Sequence, residues 1–364
     1  MAGVYVSYPF CAQKCSYCNF ASGVFTAQLE ARYLQALAQE LRQFSWPWKP
    51  ETIYLGGGTP SRMEPAELRQ LLACIPGYPW QEATLEAAPG DVTPARAEAW
   101  VQSGINRISL GVQSFEAREL SQTGRRHSAQ TVQTEVSVLR AAGIQNFNID
   151  LIAGLPHQTL DSFTRSLDWV ERLEAPHVSV YMLEVDEESR LGRELIQQGM
   201  RYGASAVPDE AAIVAMYELA VERLADMGLR RYEISNFARP GFESKHNLKY
   251  WRLEPYAGFG ADAHSFDGRE RRQNVESAAE YVAAWEKGAP VTIHRVAADL
   301  VQERLLVGLR LSSGVPLQPA ERERYAAPLA RFLEQGFVEE RDGLLCLTNL
   351  GVLYSNEVFQ ELLP

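Results

Sequence analysis

Residues Ser7–Phe20 read SYPFCAQKCSYCNF, and this stretch decides how the rest of the chain is interpreted, because it holds three of the five cysteines. Cys11, Cys15 and Cys18 are spaced CxxxCxxC and directly follow the apolar run GVYVSY. Pro9 disfavours a helix interior at this point. The cysteines are therefore predicted to lie on a loop at the carboxyl end of a first strand, where α/β barrels carry their chemistry. Stretched out, this loop spans about 24 Å, so it must curl to surround one metal centre.

Beyond this loop, short apolar runs alternate with amphipathic helical segments. The strand candidates are GVYVSY, TIYLGG, ATLEAA, NRISLGV, NFNIDLI and HVSVYML. The helix candidates between them are Thr26–Phe44, Pro65–Cys74, Thr93–Ser103, Ser128–Ala142 and Leu160–Leu173. This alternation is typical of βαβ units around a parallel sheet. Six such units end near Met182, short of the eight in a closed barrel, so the fold class is α/β with a partial (β/α)6 barrel.

The remainder of the chain divides into two further regions. Residues 1–205 are predicted to form the partial barrel, and residues 206–290 a loop-rich region packed on it after a helix at Asp209–Met227. Residues 291–364 predict a small α+β, winged-helix-like domain with helices at Asp299–Arg310 and Pro319–Gln335. In that domain FVEERDGLLCLT predicts a hairpin around Asp342 and Gly343, and LTNLGVLYSNEVFQELL a closing helix.

Charge and hydropathy narrow the range of partners. The 364 residues carry a formal net charge of −11 with no dense run of lysine or arginine, which disfavours nucleic acid. No stretch approaches the about eighteen uninterrupted apolar residues of a membrane span, and the first residues do not resemble a signal peptide. We therefore expect a cytoplasmic protein that keeps its thiols reduced.

The three clustered thiols favour an iron–sulfur cluster over zinc. A structural zinc site needs four ligands, whereas only Cys15 and Cys18 have zinc-pair spacing and no second pair follows. Cys74 and Cys346 lie in apolar patterns that indicate core positions. Thiolates bind cluster irons one each, so three thiolates on a 4Fe–4S cluster leave one iron open to a small molecule. A barrel stabilised by zinc remains the plain alternative.

Polar residues follow several strand candidates. The glycine-rich segment LGGGTPS (Leu55–Ser61) follows the second strand and would let backbone groups approach a ligand. Glu86, Gln113 and Asp150 end the next three strands, and Arg125 follows in TGRRH. Each alone is more often an ordinary rim residue, but together they predict a polar ring. In that ring Arg125 could clamp a carboxylate and the acids could accept from hydroxyls or an amine.

CxxxCxxC with Tyr17 before the last cysteine resembles the signature of the radical S-adenosylmethionine superfamily. In that superfamily the amino and carboxylate groups of S-adenosylmethionine chelate the open iron. The segments YVSYPFC, GGGTPS, NRISLGVQSF, FNIDLIAGLP and RYEISNFA resemble its oxygen-independent coproporphyrinogen oxidase-like branch over nearly the full chain. Ser7 departs from the histidine usual there, which weakens any inference about a proton donor beside the cluster. The resemblance implies cofactor contacts at Tyr5, Tyr17, Gly57, Gly58, Thr59, Glu86, Gln113, Arg125 and Asp150.

Two activities occur within this branch. The decarboxylating oxidase usually has CxxxCxxCxC, whereas Phe20 stands two places after Cys18 here, as in the heme-chaperone members. Those members also carry an HNxxYW motif linked to heme, and KHNLKYW at Lys245–Trp251 matches it. The motif residues are His246, Asn247, Tyr250 and Trp251. If the segment is helical, His246 and Tyr250 share a face, and an imidazole is a good axial iron ligand.

The alternative is a purely structural role for this motif, in which the histidine lies on a loop and bonds to the backbone while its aromatic neighbours pack in the core. His264, in GFGADAHSF, is a second and weaker candidate for a heme contact. The resemblance favours a chaperone that carries a 4Fe–4S cluster, S-adenosylmethionine and heme, and it assigns no catalytic residue. Its expected partners are hemoproteins such as respiratory enzymes, with at most transient membrane association. The competing hypothesis is an oxygen-independent coproporphyrinogen III dehydrogenase or a related porphyrin-modifying radical enzyme.

Overall fold

A sheet of twelve strands organises the computed structural model, which describes residues 2–363. Strands β1 to β6 lie side by side in chain order, and each neighbouring pair is parallel. Their bounds are Gly3–Tyr8 (β1), Thr52–Gly57 (β2), Glu82–Ala87 (β3), Arg107–Gln113 (β4), Asn146–Ala153 (β5) and His177–Met182 (β6). The six strands predicted from the alternation are confirmed, and so is the open parallel arrangement.

Helices connect these strands, and four of them begin at a capping side chain. Their bounds are Ala27–Gln43 (α1), Pro65–Leu72 (α2), Pro94–Gln102 (α3), Ala117–Thr123 (α4), Ala129–Ala141 (α5) and Leu160–Arg172 (α6), with a 3-10 turn at Pro60–Arg62. Thr26, Thr93, Ser128 and Thr159 each accept a hydrogen bond from the backbone N–H three residues further on. Such caps satisfy N–H groups that have no partner inside the helix. All five predicted helices are confirmed, whereas α4 was not predicted.

Residues from the middle of the chain extend this sheet at both edges. The helices are Arg190–Ile196 (α7), Glu210–Asp226 (α8), Lys245–Trp251 (α9) and Ala278–Lys287 (α10), with a 3-10 segment at Arg201–Ala206. The strands are Arg230–Arg231 (β7), Asn236–Ala238 (β8), Tyr256–Phe259 (β9), His264–Phe266 (β10), Glu270–Asn274 (β11) and Thr292–Ala297 (β12). Strand β8 pairs antiparallel with β6, while β9 pairs parallel with β1 and leads to β10, β11 and β12. In the sequence, the motif helix α9 connects β8, which lies beside β6, to β9, which lies beside β1 on the other side of the sheet.

The end of the chain forms a small unit of helices around a three-stranded antiparallel sheet. Its elements are Leu300–Gly308 (α11), Val315–Pro316 (β13), Pro319–Arg324 (α12), Ala326–Glu334 (α13), Val338–Arg341 (β14), Leu344–Leu347 (β15), Asn349–Leu353 (α14) and Ser355–Gln360 (α15). Asp342 and Gly343 both have positive φ, at 53° and 78°, as a two-residue hairpin turn requires. The α+β composition and the hairpin are as predicted.

Two helices in this unit are shorter than predicted. The expected helix at Pro319–Gln335 is broken at Tyr325, and the expected closing helix is broken at Tyr354. Pro328 explains the first break, because a proline has no N–H to continue a helix and fits best in the first turn of a new one. At the second break the ring of Tyr354 stacks on Phe337, with centroids 5.0 Å apart.

Alternation along the strands separates a core face from a cavity face. On β4, Ile108, Leu110 and Val112 are fully buried against the surrounding helices. The residues between them point the other way, because successive side chains of a strand alternate. The same alternation on each central strand leaves a polar interior inside the curved sheet. No helix within residues 2–363 combines the length and the apolar character that crossing a lipid bilayer demands.

Glu135 on α5 provides a test of this packing through pH. Its side chain is buried, and one carboxylate oxygen accepts hydrogen bonds from Gly90 N (2.8 Å) and Val92 N (2.9 Å). Burial raises its pKa to about 7. The folded state therefore holds this proton more tightly than the unfolded state, so the carboxyl's contribution to stability falls as pH rises from about 4.5 to about 7.

We expect Glu135→Gln to remove this pH dependence while keeping the acceptor oxygen. The free energy of unfolding is measured with urea at pH 5 and at pH 8. Its decrease from pH 5 to pH 8 should be larger in the wild type than in the variant, by up to about 3 kcal/mol. Glu98→Gln, at an exposed position on α3, is the matched control. Parallel pH profiles for wild type and Glu135→Gln would contradict the assignment.

Candidate functional site

The cysteine loop follows β1 and is closed by its own backbone. Cys11 N donates to Gly23 O (2.8 Å), and Gly23 N donates to Pro9 O (2.9 Å), so the loop returns to its starting point. Cys18 N donates to Cys15 O (3.3 Å), which closes a tight turn between the last two cysteines. All three cysteines are partly accessible and line one cavity of 620 Å³.

The three thiols are not gathered on a single point. Among residues 2–363, no three His, Cys, Asp or Glu side chains are grouped closely enough to hold one metal ion. A four-iron cluster instead takes one thiolate for each iron, so its ligands surround the cluster without meeting. Burial raises the pKa of the Cys11 thiol, and hydrogen bonds with Thr59 and Ser22 oppose this shift. The donor set thus fits a cluster better than a single metal ion.

Neighbouring elements fix the position of the loop. Ser16 N donates to Thr123 O at the end of α4, and Leu191 N of α7 donates to Ser16 O. Asn19 Nδ2 donates to Asp186 Oδ2 (2.5 Å) in the segment that leads into α7. The helix α4 and the segment 183–196, neither predicted as part of the site, therefore hold the cysteine loop at the mouth of the cavity.

The glycine segment after β2 lies directly against the exit of β1. Gly58 N donates to Tyr8 O (2.8 Å), and a Cβ at Gly58 would lie 2.7 Å from that oxygen. Gly57 has φ of 104°, a conformation that glycine adopts without strain. Thr59 N donates to Phe10 O (3.0 Å). Glycine is required here because the two chain segments touch, and this contact sets where the cysteine loop begins.

The carboxyl ends of the strands bring most of the predicted cofactor residues into this cavity. Those that line it, besides the cysteines, are Tyr17, Gly57, Gly58, Thr59, Glu86, Gln113, Arg125, Asp150 and Asn247. Tyr5, His246, Tyr250 and Trp251 do not line it. Tyr5 is partly exposed, and its ring stacks on Tyr54 with centroids 6.3 Å apart. Tyr54 does line the cavity and was not predicted.

The acidic residues of the polar ring are partly buried and hydrogen-bonded. Glu86 accepts from Tyr54 Oη (2.8 Å) and Gly57 N (3.2 Å), and burial raises its pKa to about 7. Burial also raises the pKa of Asp150, against hydrogen bonds from residues that include Asn148. Because neither acid forms an ion pair with a residue of the described chain, both keep acceptor capacity for hydroxyl or amine groups.

Arg125 is a cation that lines the cavity beside the cysteine loop. Its Nη1 donates to Gly111 O (2.6 Å), and its Nε donates to Tyr17 Oη (3.3 Å). These bonds orient the guanidinium in the cavity that Tyr17 also lines. The arrangement provides a positive group close to Cys15, whose thiol lies near both side chains.

The motif segment forms helix α9, which is anchored to the opposite end of the sheet. The Glu82 carboxylate, at the start of β3, accepts from Ser244 Oγ (3.2 Å), Lys245 N (2.9 Å) and His246 N (3.0 Å). A carboxylate at a helix N-terminus satisfies the free N–H groups and complements the helix dipole. The first turn of α9 is therefore fixed by a residue that lies more than 160 positions earlier in the sequence.

Both ring nitrogens of His246 are engaged inside the protein. Nδ1 bonds with Thr52 Oγ1 (2.9 Å), Nε2 bonds with Tyr250 Oη (2.8 Å), and the residue is 1% exposed. Burial, assisted by the charges of Lys249 and Arg107, lowers its pKa to about 3, so the ring is neutral. In this structure the imidazole has no free nitrogen for a ligand. Of the four motif residues, only Asn247 lines the cavity.

Several cavity residues were missed by the sequence reasoning although a pattern marks them. Arg107, Ser109 and Gly111 precede the predicted Gln113 at every second position of β4, and all four line the cavity. Asn148 precedes the predicted Asp150 in the same way on β5. Polar residues at every second position of a strand whose other face is apolar indicate an interior that is not packed with hydrophobic side chains. This pattern predicts that the cavity extends along the strands, below the residues at their carboxyl ends.

Comparison with known proteins agrees with this geometry. Residues 5–170 match the Radical SAM superfamily, and residues 297–354 match the HemN C-terminal domain. The fold is similar to that of the coproporphyrinogen III oxidase HemN from Escherichia coli, with a TM-score of 0.84 at 22% identity over 99% of this chain and 89% of that one. The fold and the cysteine loop thus define a protein of the radical S-adenosylmethionine class.

Relatives of the same length narrow this class. The heme chaperone HemW of Bacillus subtilis is 34% identical over 99% of this chain and 98% of its own. HemW of Lactococcus lactis is 33% identical over 99% and 96%, and HemW of Mycobacterium tuberculosis H37Rv is 34% identical over 99% and 94%. The chain belongs to the HemW family.

Proposed function

We propose that this protein binds heme and transfers it to client hemoproteins, while carrying a 4Fe–4S cluster and S-adenosylmethionine. The observation that carries the proposal is the similarity to heme chaperones over the whole chain, 34% identity across 99% of its length. Phe20 supports it, because this residue occupies the position that the decarboxylating branch fills with a further cysteine. It is 67% exposed and lines the cavity, where an aromatic ring can pack on a flat macrocycle.

The cofactor end of the cavity would be formed by the cysteine loop and the polar ring. Cys11, Cys15 and Cys18 would each bind one iron and leave the fourth iron for S-adenosylmethionine. When bound, this pair supplies one-electron radical chemistry. Arg125 would pair with the cofactor's carboxylate, and Glu86 and Asp150 would accept hydrogen bonds from its hydroxyl or amino groups.

Heme would lie deeper, against the remaining cavity wall. Asn247 would contact it from α9, whereas direct coordination by His246 would first require one of its two hydrogen bonds to break. We infer that the motif histidine mainly holds α9 in place, so that Asn247 reaches the cavity. The clients would be hemoproteins, and respiratory enzymes would bring the protein to a membrane surface only transiently.

The test is a paired assay on the full chain, reconstituted anaerobically with iron, sulfide and S-adenosylmethionine. Titration with heme, followed by absorbance, should show saturable binding near one heme per chain. Mixing the loaded protein with an apo-hemoprotein should then restore that client's heme spectrum. In parallel, incubation with coproporphyrinogen III and a reductant should yield no decarboxylated product. Decarboxylation, or an absence of heme binding, would overturn the proposal.

A further inference from the structure

Arg107 is a buried cation with almost no protein partner. It begins β4, is 2% exposed and lines the cavity. Its one hydrogen bond to a side chain is a long contact from Nη1 to Thr84 Oγ1 (3.5 Å), and its Nε has no partner in the described chain. Within residues 2–363 no carboxylate lies within ion-pair distance of it, whereas buried Lys249 has two.

An unpaired guanidinium in this position is costly. Removing a charge from water without a counter-charge is strongly unfavourable, so buried charges are normally paired. Asp150 is near enough for the Arg107 charge to lower its pKa, against the larger effect of burial, yet the two side chains form no ion pair. The sequence thus maintains a positive group inside the sheet with unused hydrogen-bond donors, which is the property of a site for an anionic group.

Arg107 lies far from the end of the cavity where the carboxylate of S-adenosylmethionine would bind. Arg107 and Gln113 stand at opposite ends of β4, about 20 Å apart, and the cysteine loop lies at the Gln113 end. Asn148 and Ser179 line the cavity between these ends, and hydrogen bonds within the protein already engage their polar groups. A second guanidinium, Arg310, also lines the cavity, but its Nη2 pairs with the buried Glu233 carboxylate (3.5 Å). At this end of the cavity, its floor, Arg107 is therefore the buried cation of the described chain without a carboxylate partner, while Glu86 and Asp150 lie further along their strands.

We propose that Arg107 anchors a carboxylate of the bound porphyrin at the floor of the cavity. The inference rests on the proposed function, because heme carries two propionates and is the ligand with carboxylates to place there. A guanidinium binds a carboxylate with two parallel charge-assisted hydrogen bonds, which gives orientation as well as affinity. Anchored in this way, the macrocycle extends from the floor toward Phe20 and the cysteine loop.

The experiment compares wild type, Arg107→Met and Arg62→Met, each as the reconstituted full chain. Arg62 lines the same cavity at its rim, but its side chain is 48% exposed, so it is the matched control. Absorbance titrations would use heme and, separately, its dimethyl ester, which lacks both carboxylates. We expect Arg107→Met to weaken heme binding about tenfold or more and to leave ester binding unchanged. Arg62→Met should bind heme within about twofold of wild type.

Thermal unfolding of the ligand-free variants separates binding from folding. Replacing an unpaired buried charge by an apolar side chain should leave stability equal or higher, so a Tm well below wild type would show that Arg107 is structural and overturn the proposal. Equal heme affinity in Arg107→Met would overturn it as well. If Arg107→Met lost S-adenosylmethionine binding but kept heme binding, Arg107 would bind the carboxylate of S-adenosylmethionine, and the proposal would be wrong.

A further probe distinguishes this inference from the proposed function. If wild type fails to bind heme but binds coproporphyrin III in a manner that depends on Arg107, the heme-carrier function is wrong and the carboxylate anchor is supported. If wild type binds neither porphyrin, both are wrong.

Discussion

Replacing Cys11, Cys15 and Cys18 together by alanine is expected to reduce bound iron and sulfide to near zero after anaerobic reconstitution. Each thiolate holds one iron of the cluster, and the described chain places no other cysteine at the cavity. Loss of the cluster removes the open iron, so S-adenosylmethionine binding should fall by at least about tenfold. Iron and acid-labile sulfide are measured per chain, and cofactor affinity is measured by calorimetry.

The other two cysteines provide matched controls for this experiment. Cys74 follows α2, and its Sγ donates to Gln70 O (3.3 Å), while Cys346 is buried within β15. Cys74→Ala should therefore keep the wild-type content of iron and sulfide. Wild-type iron in the triple variant would show that the thiols are not the ligands. Zinc in place of iron in the wild-type protein would instead support a barrel stabilised by zinc.

The central fold could be predicted from the sequence because its signals are local. Apolar runs of strand length, capping residues such as Thr26 and Ser128, and the regular spacing of units all act within a few residues. The cysteine loop is equally local, since its spacing and Pro9 lie next to the strand that positions it. The structure confirms each of these elements with boundaries close to those expected.

The sheet edges and the role of α9 could not be predicted, because they depend on contacts between distant residues. Strand β9 joins β1 across more than 240 positions, and its short segment YAGF has no distinctive alternation. The bonds from Glu82 to the start of α9 likewise connect residues that the sequence does not relate. A histidine motif does not show whether the imidazole ring contacts a ligand or forms hydrogen bonds inside the protein.

His246→Ala is expected to lower the free energy of unfolding of the heme-free protein by about 2–4 kcal/mol. The substitution removes the ring that joins Thr52 to Tyr250 and leaves a buried cavity between β2 and α9. It also leaves the Thr52 hydroxyl buried without that partner, which adds a desolvation cost. Urea denaturation at pH 7.5 measures the difference directly, in the absence of any heme.

The pH dependence gives an independent signature of the same role. The folded-state pKa of His246, at about 3, lies below the usual value, so the unfolded chain binds this proton first as pH falls. The stability that the neutral ring provides is complete above about pH 6.5 and decreases below it. The difference between wild type and His246→Ala should therefore shrink from pH 7.5 to pH 5, which a merely exposed histidine would not produce.

His264→Ala is the control for this experiment, because His264 is exposed at the start of β10. Its stability should match wild type within about 0.5 kcal/mol. Heme titration of the two variants then separates the two roles of the motif. If His246→Ala unfolds like wild type but no longer binds heme, the imidazole serves the ligand and not the fold. If His246→Ala and Tyr250→Phe both lower the stability, the hydrogen-bonded ring holds α9 against the sheet. Asn247 is then the motif residue that faces heme.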